Sequence, residues 1–267
     1  MKKIFLTLSA FSLLLSLSSC DFSTKKVNSP NTTEQTTAFA VENITVEDST
    51  ETNSVHFHYN IDFPQQGPEA LTNNVKQAIF AHLGDTVTTV YTIDNLKNIG
   101  HKYVTESAEE IEDLELMEYH EGRTIYELAG KVKLEDNTET YLTYNINDYN
   151  YSGGAHGMPR NIYLTFDKRS NKVMEWDNIF PQSNRERLAD IVKAAIVEQY
   201  YKGETPQWGD IFQFNLPTQA PAFTSEGLIF TYNSYEIDCY AAGMPECVLP
   251  YDVVKPLMTP EAKALVD

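Results

Sequence analysis

Three strand-like segments follow one another between residues 124 and 166 with no helical pattern between them, and this run constrains the fold more than any other feature. Thr124–Leu134, Thr140–Tyr149 and Ile162–Phe166 are rich in β-branched and aromatic residues, with Leu142, Tyr144 and Ile146 in phase on one face. Asp136-Asn137 supplies turn chemistry between the first two. Strands in direct succession favour antiparallel pairing, because a parallel pair needs a long crossover connection.

The flanking segments add helices without setting up a strict alternation. Upstream, Thr45–Glu47 and Val55–Ile61 read as strands, the second alternating Val55, Phe57, Tyr59 and Ile61 against His56, His58 and Asn60. A helix follows, with Pro68 in its first turn, a stripe of Leu71, Val75, Ala78 and Ile79, and Gly84 as its stop. A second helix is expected from Ser107, where Glu110 completes a capping box and Ile111, Leu114 and Met117 face inward. Downstream, Asn184–Tyr201 carries the stripe Leu188, Ile191, Val192, Ala195 and Ile196 between a Ser183/Glu186 capping box and Gly203. Leu228–Tyr232, Tyr235–Cys239 and Val248–Tyr251 are further strand candidates. Two strand-and-helix groups in succession give an α+β class, antiparallel sheets with packed helices, and no repeat of fixed period is present.

The N-terminus speaks to location. Lys2 and Lys3, the 14 apolar-rich residues Ile4–Leu17 and the small residues before Cys20 have the order of a secretory signal, too short for a comfortable membrane span. Leu17-Ser18-Ser19-Cys20 resembles the lipobox of a bacterial lipoprotein. That resemblance implies that residues 1–20 are a leader and that a lipidated Cys20 anchors the protein in the cell envelope, with lipid as its sole membrane contact. Residues 21–38, rich in Ser, Thr, Asn and Gln, read as a flexible tether.

Charge and cysteines narrow the partners. With 38 acidic against 20 basic residues the formal charge is −18, falling to −20 once Lys2 and Lys3 are removed. Such a surface repels nucleic acid, which is excluded as a partner, and either attracts cationic partners or serves solubility alone. With Cys20 committed to lipid, Cys239 and Cys247 remain as an even pair around a turn-rich segment. They form either a disulfide closing a loop, worth ~2–3 kcal/mol by chain entropy, or two buried free thiols.

Several constellations invite chemistry. Tyr151-Ser152-Gly153-Gly154-Ala155-His156-Gly157 sets three glycines around one imidazole, as a ligand-facing loop or as a tight crossover whose histidine bonds a carbonyl. His56-Phe57-His58 puts two imidazoles on one strand face, either as the start of a metal site or as solvent-facing residues, with no third ligand at a telling spacing. Thr165-Phe166-Asp167 resembles the Thr-Phe-Asp-Asp of metal-dependent carbohydrate deacetylases, but Lys168 follows and no histidine stands beyond His156, so three metal ligands cannot be assembled. No metal or cofactor is expected. Four tyrosines between 232 and 251, Tyr235 and Tyr240 among them, supply contact surface or ordinary strand residues.

Tyr-Ser-Gly-Gly-Ala-His-Gly at 151–157, together with Tyr-Glu-Ile-x-x-Tyr-Ala-Ala-Gly at 235–243 and Pro250-Tyr251, is similar to the RsiV-like family over nearly all of residues 39–258. That family includes the lysozyme-binding extracellular part of an anti-sigma factor, the non-catalytic domain of a peptidoglycan deacetylase, and envelope lipoproteins of unknown function. The resemblance implies two consecutive α+β subdomains, 39–160 ending in the glycine-rich loop and 161–267. It further implies that Ser152, Gly153, Gly154 and His156, joined by Tyr235 and Tyr240, face a ligand. A non-enzymatic envelope binding protein for a cell-wall component or a cationic protein such as lysozyme is the expectation. The alternatives are a wall hydrolase or modifying enzyme using His156, and a structural envelope module. Cys239 and Cys247 lie outside the family pattern, and the signalling part of the anti-sigma factor has no counterpart here.

Overall fold

A computed structural model of the chain describes residues 38–52, 54–116, 125–206 and 212–267. The leader, Cys20, nearly all of the expected tether and Met117 lie outside the described residues. Among the described residues no helix is long and apolar enough to cross a membrane.

The first half is a six-stranded sheet ordered as in the chain: β1 (Ala40–Ser49), β2 (Val55–Gln66), β3 (Tyr126–Asn137), β4 (Tyr141–Ser152), β5 (Met158–Asp167) and β6 (Lys172–Val173). The pairs are antiparallel except β2 with β3, which run parallel. The parallel pair follows from the crossover between them, α1 (Glu69–His82) and α2 (Ile93–Leu116), which reverses the chain before β3 begins. The period-2 pattern of β2 buries Val55, Phe57, Tyr59, Ile61 and Phe63 against Leu71, Val75 and Ile79 of α1 and Leu96, Val104 and Ile111 of α2.

Helix α2 starts fourteen residues before the expected Ser107, which is buried in mid-helix. Its true N-cap is Thr92, whose hydroxyl accepts the Asn95 amide at 3.2 Å. Gly100 lies inside this helix, where a Cβ would lie 2.8 Å from the Phe57 ring, so its absence lets the helix sit down on the sheet.

The second half carries α3 (Trp176–Ile179), α4 (Arg185–Gln199) and a three-stranded antiparallel sheet of β7 (Ala222–Phe223), β8 (Leu228–Thr231) and β9 (Glu246–Leu249), then α5 (Tyr251–Val254) and α6 (Pro260–Lys263). Leu188, Val192 and Ile196 of α4 pack with Phe223, Phe230 and Leu249 in a second core, where truncating one such side chain to Ala costs ~2–5 kcal/mol. The expected Ser183/Glu186 capping box is not used. A 3-10 turn, Gln182–Asn184, leads into α4, and the Asn184 side-chain Nδ2 donates to the Leu257 carbonyl at 2.8 Å.

The expected boundary between residues 160 and 161 falls inside β5, which pairs with β4 from Met158 to Asp167. A strand hydrogen-bonded along its length cannot be divided between two bodies, so the first sheet runs on to Val173. The halves are joined by buried hydroxyls. Thr143 on β4 donates to the Phe223 carbonyl at 2.7 Å, and the Phe223 amide donates to Thr165 Oγ1 on β5 at 2.9 Å.

Candidate functional site

The β4–β5 connection holds the glycine-rich segment at one end of the first sheet. Gly153 and Gly154 adopt φ of 84° and 86°, the left-handed region that side chains disfavour, and the Tyr151 hydroxyl donates to the Gly154 carbonyl at 3.0 Å. Gly157 is glycine for a different reason: a Cβ there would lie 2.3 Å from Cζ of Tyr149, whose ring lies across the chain at that point. His156 is exposed, with Nδ1 3.0 Å from the Gly157 carbonyl. A carbonyl can only accept, so Nδ1 carries the proton and Nε2 is the acceptor of the neutral ring.

The tyrosine segment departs from expectation. Tyr235–Cys239 is a series of turns and not a strand, with Tyr235 at φ 71° and Cys239 capping a 3-10 turn over Tyr240–Ala242. Burial of Ile237 while Tyr235 stays 47% exposed demands the irregular path. Helix α4 and its end hold it: the Tyr201 hydroxyl donates to Asp238 at 2.9 Å and that of Tyr200 to the Ala242 carbonyl at 2.6 Å.

These two segments meet. The His156 and Tyr240 rings stack with centroids 3.9 Å apart at 22°, Tyr235 lies 6.0 Å from Tyr240, and the Tyr235 hydroxyl faces His156 Nε2 at 3.5 Å. Ser152, Gly153 and Gly154 stand on the same loop as His156. Sequence reasoning missed one neighbour, Tyr149 (37% exposed), whose ring lies against Gly157 next to His156. The signal for Tyr149 lay in Gly157, whose missing side chain the ring requires.

A buried ionic brace sits below the loop. Tyr59, Gly130, Asp148 and Arg160 are register partners across β2, β3, β4 and β5. A Cβ at Gly130 would lie 2.8 Å from the Tyr59 ring and 2.6 Å from Asp148 Cβ; with none there, the Tyr59 hydroxyl reaches Asp148 at 3.0 Å. Arg160 grips Asp148 with two hydrogen bonds of 3.0 and 2.9 Å, and His82 at the end of α1 adds a fourth contact at 2.5 Å. Burial alone would push the Asp148 carboxyl up, but the bonds from His82 and Arg160 outweigh it and hold the group below the usual carboxylate range. Asp148 and Arg160 flank the glycine loop, so the brace fixes the hairpin that presents His156.

The remaining candidates resolve differently. The expected Cys239–Cys247 bridge is not formed: both thiols are free, Cys239 exposed on the turn and Cys247 buried on β9 among core residues. Strand β9 points Cys247 inward, and burial pushes its thiol up to about 12, which leaves it unreactive. Asp167 of the deacetylase-like tripeptide is engaged by Arg169 and Ser170 and braces the β5–β6 turn. His58 faces Glu47 at 3.4 Å, and among the described residues no three His, Cys, Asp or Glu side chains gather as metal ligands would.

Comparison with known proteins finds two matched regions in succession. No curated protein matches it. Solved structures that share the fold include a DUF3298 family member from Bacteroides fragilis (TM-score 0.75, 20% identity, covering 86% of this chain and 98% of that one) and a DUF3298 family protein from Pseudomonas aeruginosa (TM-score 0.56, 15% identity, 85% and 95%). Residues 49–159 match the family described as Deacetylase PdaC, and residues 177–252 the family described as Protein of unknown function (DUF3298). The chain is therefore a PdaC-like region followed by a DUF3298-like region, with His156 in the first and Tyr235 and Tyr240 in the second.

Proposed function

We propose that this chain is a lipid-anchored cell-envelope protein that binds and does not catalyse, and that the surface around His156, Tyr235 and Tyr240 receives a cationic wall-active protein such as a lysozyme, or a peptidoglycan fragment. One observation carries the reading: side chains 79 residues apart, from two separately matched regions, converge into one exposed aromatic surface. Rigid amphipathic rings of this kind give contact area at low entropic cost. Charge favours a cationic partner. Glu236, Asp238 and Glu246 lie along the tyrosine segment, and none joins an ion pair among the described residues. Burial pushes the carboxyls of Glu236 and Glu246 up, a cost that an incoming ammonium or guanidinium would relieve.

Titration of the full chain with lysozymes and with soluble wall fragments, at low and physiological salt, tests the reading. Binding should weaken as salt rises. His156→Ala and Tyr235→Ala should each lose about thirty-fold in affinity, the equivalent of ~2 kcal/mol, with little change in melting temperature. Loss of stability with undiminished affinity would sink the site assignment. Turnover of labelled wall polymer that disappears in His156→Ala would replace binding by catalysis. For the anchor, Cys20→Ala should abolish palmitate labelling, and labelling that persists would refute lipidation at Cys20.

A further inference from the structure

We infer that the free edge of β1 is a docking site for an extended basic peptide segment, which adds to the first sheet as a further strand. β1 is the outermost strand of that sheet and pairs with β2 alone. In an antiparallel pair every second residue turns its amide and carbonyl away from its neighbour. The Thr50 amide donates to the Val55 carbonyl across the pair at 3.2 Å, while the Ser49 amide turns to the Asp48 carboxylate at 2.8 Å. Counting back from Ser49 makes Asn43, Thr45 and Glu47 the outward residues. Among the described residues no partner meets their amides or carbonyls.

The side chains of the strand define the partner. Ala40–Ser49 carries Glu42, Glu47 and Asp48 and no Lys or Arg. Among the described residues Glu42 joins no ion pair, and Glu47 and Asp48 face imidazoles, His58 at 3.4 Å and His101 at 3.0 Å. On the helix-covered face, between Glu42 and Asp48, Ile44 is half-buried against the first core and Val46 is buried in it. An added strand therefore fits with basic residues opposite Glu42 and Asp48 and apolar ones opposite Ile44 and Val46, the backbone ladder supplying the rest. A second copy of this chain fits worse. The self-pairing register that uses the whole strand, centred on Thr45, sets Glu42 of each copy opposite Asp48 of the other, like charge against like. The acids guard the edge against its own kind and leave it open to a cationic strand. The edge uses neither the glycine loop nor the tyrosine segment, so the inference is independent of the function proposed above.

The test titrates the full chain with three labelled peptides of equal length: Lys-Thr-Val-Thr-Val-Thr-Lys, the same peptide with Glu for both Lys, and the Lys peptide with its three threonine nitrogens methylated. Fluorescence anisotropy gives the affinities, and amide hydrogen exchange locates the site. The Lys peptide should bind and slow exchange at Asn43, Thr45 and Glu47. The Glu peptide and the methylated peptide should each bind at least about tenfold more weakly. Thr45→Pro removes an outward amide at an edge position, where proline is tolerated, and should cost about tenfold. Glu42→Lys keeps every backbone group, decides the matter should the proline variant fail to fold, and should cost about fivefold. His156→Ala should have no effect. Four results would overturn the inference: no binding of the Lys peptide, equal binding of the methylated peptide, binding that survives Glu42→Lys but falls with His156→Ala, or a dimer in sedimentation that Thr45→Pro dissolves, which would make a second copy the occupant.

Discussion

Tyr235 carries two burdens at once, an exposed ring and a backbone at φ 71°. An L-residue in the left-handed region gives up ~1–2 kcal/mol, and such strain is kept where the surroundings over-determine it. Glycine relieves the strain and costs ~0.5–1 kcal/mol in unfolded-chain entropy, so relief wins by up to ~1 kcal/mol. Tyr235→Gly should therefore melt within a few degrees of the parent and above Tyr235→Ala, while both lose the ligand equally. Calorimetry and titration on the same pair check this, and a large drop in melting temperature for the glycine variant would make the ring a packing element. At this scale the sequence was informative where chemistry is local. Three glycines around a histidine and a row of tyrosines stand out without a structure. Tyr149 did not, because alternation along β4 assigns it a face and says nothing of the glycine it covers.

Among the elements, the β4–β5 hairpin depends on a carboxylate at the centre of four strands. The Asp148 pKa lies below its unfolded value of ~3.9. Its stabilisation is thus complete above that value and lost as pH falls through the folded pKa. Asp167, depressed by Arg169 against its own burial, acts in the same direction. Melting temperature should fall most steeply below about pH 4, and Asp148→Asn should flatten part of that acid arm. At pH 7 the variant should lose ~2–3 kcal/mol. This is less than the ~3–5 kcal/mol of a fully buried pair, because Arg160 is partly exposed and rehydrates. Thermal melts of both proteins from pH 7 to pH 2 decide it, and identical acid arms would remove Asp148 from the account. The periodic helices α1 and α4 and the strand run of β3 to β5 were legible from hydrophobic spacing alone. The first half of α2 was not, and its seat on the sheet rests on Gly100 meeting Phe57, a contact between residues far apart in the chain. The parallel β2–β3 pair was equally hidden, since pairing is a non-local choice that no single strand records.

Across the whole molecule, the link between the two sheets includes buried hydroxyls. Thr165→Val would leave the Phe223 amide without its acceptor, at ~1–3 kcal/mol. With the hydroxyl link intact, hydrogen exchange in α1 and α4 should collapse over one denaturant range, and Thr165→Val should move both to lower concentration together. Exchange in α4 that opens well before α1 would show two independent bodies. Nothing in the sequence marks these threonines, which look like ordinary strand residues until the second sheet is set against them. The convergence of His156 with Tyr235 and Tyr240 bears on inheritance as well as on binding. The two matched regions, 49–159 and 177–252, each hold only part of that surface. A gene rearrangement that kept one region and exchanged the other would separate the residues that form the stacked rings. On the proposed binding role, selection on the surface would act on both regions as a single heritable unit, and they are expected to travel together wherever the surface is used.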